Sequence, residues 1–241
     1  QFSKPINLKS GDCIDDDDTT EGAVPTVGPN GEVYVSWGLR DTLFFNRSLN
    51  KGKTWLEEDL IAAVQEEGWA LDIPGIFRAN GMPVTVCDVS DGPHKGTIYI
   101  NYADQSNGTD DTDIWLIKST DQGNSWTKPK RINDDAPKKH QFFSWMTIDQ
   151  STGYLYVVFY DRRTYDDIQT DVYLAFSKDG GESFTNIKIS ETPFTPTDKA
   201  FFGDYTHIAA HNGIICPIWT RMDEGKTSVL TTVIQQKDLE K

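Results

Sequence analysis

Acids and arginines dominate the residues of this chain that could do chemistry, and both are bunched. Asn107, Asp110, Asp111 and Asp113 fall within one short run, and Asp161, Asp166, Asp167 and Asp171 fall within another. Oxygen-rich loops of this kind could coordinate calcium, which takes carboxylate and carbonyl ligands. Neither run has EF-hand spacing. Asp104 and Asp161 each stand eight residues after a glycine, and Asp113 and Asp171 occupy equivalent positions directly after a threonine. These four are the candidate calcium ligands. The competing reading is that such aspartates cap exposed backbone N–H groups of neighbouring loops. Arg78, Arg162 and Arg221 lie far apart in the chain, with Arg163 beside the second. A planar guanidinium fork suits a carboxylate, because it makes two charge-assisted bonds at once.

Several chemistries are excluded at this level. The four histidines show no metal spacing, and no Gly-x-Ser-x-Gly elbow or phosphate-cradling glycine loop is present. With 23 basic and 37 acidic residues the net charge is −14, which argues against nucleic acid as a partner, since phosphate binding needs clustered Lys and Arg. No apolar run reaches the roughly 18 residues that a membrane span requires. No basic segment followed by an apolar one heads the chain, so a secretion signal is expected to be absent or already removed. Cys13, Cys87 and Cys216 fit no disulfide scaffold or zinc spacing.

The elements that must position these residues show themselves as a repeat. Gly31, Tyr34 and Trp37 recur as Gly96, Tyr99 and Tyr102, then as Gly153, Tyr156 and Phe159, then as Gly213, Cys216 and Trp219. Each glycine follows a turn-like stretch and opens a β-rich run. A second motif follows three of the four. It reads Ser48, Asn50, Gly52, Thr54, Trp55, then Ser119, Asp121, Gly123, Ser125, Trp126, then Ser177, Asp179, Gly181, Ser183, Phe184. This is a hairpin turn: the Asp or Asn caps N–H groups, glycine supplies positive φ, and the last aromatic is expected to fold back onto its own sheet.

With these turns, the sequence resembles the sialidase-like (BNR or Asp-box repeat) β-propellers over nearly its whole length. The resemblance implies an all-β fold of four-stranded antiparallel blades in one domain. About four blades are expected, near 20–60, 83–133, 140–190 and 203–235. In the third, the strands are expected near 142–148, 154–160, 171–176 and 186–190. One short helix is expected over 59–67, between blades. The fourth unit lacks its own outer strand, and residues 2–9, which match the start of an outer strand, are expected to supply it and close the ring. The alternative is that the chain is part of a larger ring of six blades, with an upstream propeller segment completing it.

The resemblance also sorts the loops. One face of a propeller is built by inter-blade loops and by the loops joining second to third strands, and it collects most of the acid and arginine. The family's enzymes place three arginines on a substrate carboxylate, a tyrosine nucleophile beside a glutamate, and an aspartate acid/base. Carried over, the arginine, tyrosine and glutamate roles fall on Arg78, Arg162, Arg221, Tyr205 and Glu21. The Arg-Ile-Pro signature of the family is absent around Arg78. The preferred function is recognition of a carbohydrate or another extracellular polymer, through Arg163, Asp204, Trp69 and Trp145. Exo-sialidase-type hydrolysis and a non-catalytic interaction module are the alternatives. An extracellular or cell-surface location is expected.

Overall fold

A computed structural model describes residues 4–8, 20–66 and 68–239. Four antiparallel sheets follow one another along the chain. The first contains β1 (Glu21–Val27), β2 (Val33–Leu39), β3 (Thr42–Ser48) and β4 (Leu60–Val64). A short pair, β5 (Ala70–Leu71) and β6 (Ala79–Asn80), separates it from the second sheet, of β7 (Val84–Cys87), β8 (Ile98–Asp104), β9 (Asp113–Ser119) and β10 (Lys130–Arg131). The third contains β11 (Gln141–Asp149), β12 (Tyr154–Asp161), β13 (Asp171–Ser177) and β14 (Thr185–Lys188). The fourth contains β15 (His207–His211), β16 (Ile214–Asp223) and β17 (Lys226–Thr231), with β18 (Ile234–Gln235) also pairing to β16. The repeated glycines initiate the second strand of each sheet.

The first strands pack in series, β1 on β7, β7 on β11 and β11 on β15. Among the described residues no packing of similar extent joins β15 back to β1, so the sheets form an arc. Each junction is filled by the apolar face of one sheet against the next. Tyr34, Leu43 and Phe45 meet Ile98, Ile100 and Tyr102 at the first, and a larger cluster runs through the other two. Each junction also carries a buried polar stitch. Ser36 and Thr85 share a hydroxyl hydrogen bond of 2.5 Å, and Asn101 donates to Ser144 at 2.6 Å. The Tyr160 hydroxyl donates to the Thr220 carbonyl at 2.7 Å and accepts from the Thr220 N–H at 2.9 Å. At the two ends of the arc apolar side chains stay uncovered, with Ile61 62% and Val229 72% exposed.

Two expectations are corrected. The stretch around 59–67 holds a strand, not a helix: β4 pairs with β3, placing Thr42 opposite Val64 and Phe45 opposite Leu60. Unpaired backbone groups along β3 are satisfied this way, which outweighs the helical preference of Leu60 to Ala63; Glu67 lies outside the described residues. Residues 4–8 form no strand on the fourth sheet. Ile6, Asn7 and Leu8 line a shallow pocket with Ala23, Val35 and Trp37 of the first sheet instead. Phe2, Ser3 and Lys9 lie outside the described residues.

The three repeated turns share one hydrogen-bond pattern. Ser119 and Asp121 bond through their side chains at 2.7 Å, and the Gly123 N–H donates to the Ser119 hydroxyl at 2.8 Å. The Ser125 N–H and hydroxyl both donate to Asp121. The same bonds recur at Ser177, Asp179, Gly181 and Ser183, and largely at Ser48, Asn50, Gly52 and Thr54. Each of the last two turns reaches the preceding sheet rather than only its own. Arg47 on β3 donates to the Gln122 carbonyl and Asn124, and Trp126 packs edge-on against Phe45, with ring centroids 5.1 Å apart. Lys118, at the matching position of β9, donates to the Gly180 carbonyl and Glu182. Gly123 is obligatory here: its φ is +85°, and a Cβ would sit 2.3 Å from the Phe45 ring.

Replacing Asp179 or Asp121 by Ala is predicted to cost ~1–2 kcal/mol by removing these bonds. Bonds from Ser125 hold the Asp121 carboxyl down to about 2; burial opposes this at Asp179, but the Ser183 bonds bring it to about 2 as well. A depressed carboxyl stabilises above its unfolded pKa and loses that contribution as pH falls from about 4 through about 2. Chemical denaturation at neutral pH and at pH about 2 checks both points: the cost of D179A should shrink at the lower pH.

Candidate functional site

Two segments meet where the chain enters the inner strands: residues 77–82, which include β6, and residues 201–207, which lead into β15. Arg78 grips Asp204 with two parallel bonds, Nε to Oδ1 at 3.0 Å and Nη2 to Oδ2 at 2.8 Å. Asn80, buried on β6, donates to the Asp204 carbonyl at 3.0 Å, so the loop is held by side chain and backbone together. The Arg78 guanidinium lies over the Phe201 ring at 5.6 Å. Tyr205 stands 6.0 Å from Trp145, whose other neighbour is the His207 imidazole at 4.7 Å. Burial lowers the His207 pKa, favouring the neutral ring. Phe77, Phe201 and Tyr205 expose 64%, 55% and 61% of their surface. Large exposed aromatics beside a fixed ion pair form a platform, not a core.

The platform is anchored from below. Phe143 has a positive φ of 51°, at the irregularity between Phe142 and Trp145 where β11 slips against β12. There Thr206 donates to the Phe143 carbonyl at 2.7 Å, and Phe143 stacks on Phe202. Asn80, Met82, Ser144, Asp204 and Tyr205 line a narrow cleft. Trp69 lies on the first sheet, close over β1. Gly22 has a φ of +67°, and a Cβ there would come 2.7 Å from the Trp69 ring. Met82, which meets the same position of Gly22, connects this corner to the cleft. Glu21 opens β1 opposite Gly38.

Arg78, Asp204, Tyr205 and Trp145 are thus brought together, and Arg162 and Arg221 are placed elsewhere. Arg162 is buried, donating to Thr170 at 3.0 Å and to the Pro74 carbonyl at 2.7 Å, with its guanidinium over Phe142. Burial pushes its pKa down to about 10. Its backbone N–H bonds the His140 carbonyl, and burial, helped by the Arg162 charge, brings His140 down to about 4. Arg221 clamps Asp223 and the carbonyls of Thr192 and Pro193. Arg163 bridges Asp161 and Asp134 and lies 4.2 Å from the Tyr173 ring centre. Phe77 and Phe201 were not distinguishable in the sequence: Phe202, next to Phe201, is buried, and nothing in the Phe-Phe-Gly-Asp-Tyr run says which ring faces out.

The four aspartates proposed for calcium form two cross-strand pairs, Asp104 opposite Asp113 and Asp161 opposite Asp171. Each is satisfied by protein donors. Asp104 accepts from the Ser106 N–H and hydroxyl, and Asp113 from Asn107, Asn133 and Arg131. Asp161 accepts from Arg163 and Gln141, and Asp171 from Tyr165 and Ser190. Burial raises the pKa of Asp104, Asp113 and Asp161, opposed by these same bonds. Among the described residues no three His, Cys, Asp or Glu side chains are arranged to hold a metal ion; Asp15 to Asp18 lie outside them. Cys87 and Cys216 are unbridged, and burial pushes the Cys87 thiol up to about 12.

No family model and no curated protein matches the sequence. Solved structures do match. A Hadza microbial sialidase, Hz136, aligns with a TM-score of 0.59 at 18% identity, over 88% of this chain and 44% of its own. The NanB sialidase of Streptococcus pneumoniae aligns at 0.55 and 13%, over 98% of this chain and 53% of its own. Zg3597, a family 117 glycoside hydrolase of the marine bacterium Zobellia galactanivorans, aligns at 0.54 and 12%, over 94% and 70%. The chain therefore spans about half the length of the sialidases it resembles. At these identities the likeness is one of fold, and the fold is that of the sialidase-like propellers.

Because protein donors already occupy Asp104, Asp113, Asp161 and Asp171, thermal melts with chelator and with excess calcium are predicted to superimpose. A ligand bound only to the folded state raises the melting temperature. A rise with calcium would show that an ion displaces these donors.

Proposed function

We propose that this chain is a carbohydrate-recognising propeller segment of the Asp-box kind, working outside the cell or at its surface. The supporting observation is the platform of exposed Phe77, Phe201 and Tyr205, with Trp145 beside them and the Arg78–Asp204 pair in the middle. Sugars present apolar C–H faces and a fringe of hydroxyls. Aromatic rings suit the first, and planar, fixed polar groups suit the second. Trp69 and His207 border the same surface, and buried Asn80 supports it by holding the Asp204 carbonyl. Loops on a rigid β scaffold are where such recognition is built.

The glycoside hydrolases among the structural neighbours make carbohydrate the natural class to try first. Hydrolysis is a separate step beyond binding. In the family's enzymes it would need arginines gathered around Tyr205, and here Arg162 and Arg221 are bonded to other parts of the chain. Recognition is therefore the reading favoured over exo-sialidase activity.

Calorimetric titration across a panel of oligosaccharides tests it. Tyr205→Ala and Trp145→Ala should each weaken the best ligand roughly tenfold, about 1.4 kcal/mol; Y205A, at an exposed position, should melt close to wild type, and W145A, which truncates a ring packed on the core, should melt lower. Asp179→Ala, in a turn that braces the preceding sheet, should leave affinity unchanged. Equal affinity in Y205A, W145A and wild type would remove the platform from consideration. Release of product from a fluorogenic sialoside would favour the hydrolase reading instead.

A further inference from the structure

The charge balance of the platform narrows its ligand, and the narrowing rests on the carbohydrate reading above. We infer that the platform takes uncharged glycans, and that Asp204 is the residue that turns acidic sugars away. A sugar carboxylate or sulfate is bound well by a guanidinium fork whose donors are open to it. On the platform the fork belongs to Arg78, and Asp204 occupies it bidentately, at 3.0 and 2.8 Å. The chain thus carries its own carboxylate in the position an acidic sugar would need.

Four other arginines are engaged elsewhere. Arg221 is held by Asp223, Arg163 by Asp161 and Asp134, and Arg131 by Asp113 and the Asp135 carbonyl. Arg162 is buried against Phe142. The histidine of the platform, His207, is kept towards its neutral form by burial. An anion arriving at Tyr205 would therefore meet the Asp204 carboxylate with the Arg78 fork already taken up, within a chain of net charge −14. A neutral sugar meets no such penalty. A carboxylate has about four lone-pair sites, and two of those on Asp204 are used by Arg78, so sugar hydroxyls can donate to the others.

The specificity of the sugar is thus set by an ion pair that is itself half in water. The side chain of Arg78 is 53% exposed and that of Asp204 is 26% exposed. In such a setting the pair contributes little to stability, and its effect falls on which ligands can use Arg78. Asp204→Asn keeps the shape and the Asn80 bond to the backbone carbonyl while removing the competing charge.

The test uses calorimetry with cellohexaose, galactohexaose and arabinohexaose as the neutral arm, and sialyllactose and hexagalacturonate as the acidic arm. Wild type is expected to prefer its best neutral ligand by about tenfold or more, with an affinity that hardly changes with salt, since no ligand charge is paired. D204N is expected to gain about tenfold for the acidic arm. If D204N does not fold, Arg78→Gln serves: it should leave acidic binding as weak as in wild type. The inference is overturned if wild type binds sialyllactose or hexagalacturonate as well as the neutral arm, if D204N folds and gains nothing, or if R78Q abolishes an acidic affinity that wild type has. Absence of binding to every glycan would overturn the carbohydrate reading itself, and this inference with it.

Discussion

Sheet-on-sheet packing between first strands is the constraint on which everything else here depends. A single antiparallel sheet of this chain cannot cover both of its apolar faces, so each must lean on the next. The stitches between them are buried and polar: Ser36 to Thr85, Asn101 to Ser144, and Tyr160 to the Thr220 backbone. Such bonds gain little net free energy when made but cost about 1–3 kcal/mol when one partner is left unsatisfied. They therefore fix the register of one sheet against its neighbour more than they add stability. The repeated turns do the same work on the opposite rim, where Arg47 and Lys118 reach forward to the turn of the following sheet.

Once the sheets are set, the loops at the other rim have little choice of position. Phe143 adopts its left-handed backbone where β11 slips register, and its carbonyl then receives Thr206. That bond draws the 201–207 loop across the third sheet and sets Asp204 opposite Arg78. The aromatic groups left exposed, Tyr205 and Phe201, sit next to residues that are buried, Thr206 and Phe202. The alternation of strand geometry continues into the loop, so burying one side chain exposes the next.

The sequence made the β architecture readable because its period is written in glycine and aromatic residues that recur once per sheet. The turn motif was readable for the same reason: Asp121 and Asp179 repeat with their serines, and the bonds follow from residue type. The direction of the closing aromatic was not readable. Trp126 packs on Phe45 of the preceding sheet, a contact that depends on how sheets stack and not on local sequence. The strand at Leu60–Val64 was hidden for a similar reason, since only the open edge of β3 makes it a strand. At the platform, Arg78, Asp204, Tyr205 and Trp145 stood out by type and by loop position, whereas the spacing of three arginines along the chain said nothing about their convergence. Arg162 is held by the Thr170 hydroxyl and by the Pro74 carbonyl of a distant loop, and Arg221 by Asp223 and the carbonyls of Thr192 and Pro193. The acidic runs looked like metal ligands because hydrogen-bond donors such as Asn133 and Gln141, which satisfy them, come from other loops.

The most direct measurement is a titration followed by the indole N–H resonances of the seven tryptophans, using the best oligosaccharide found by calorimetry. Trp145, on the platform, and Trp69, at its border, should shift with the ligand, while Trp55 and Trp126 in the repeated turns should stay in place. Shifts confined to Trp55 and Trp126, with Trp145 unmoved, would place recognition on the opposite rim and contradict the platform as the binding surface.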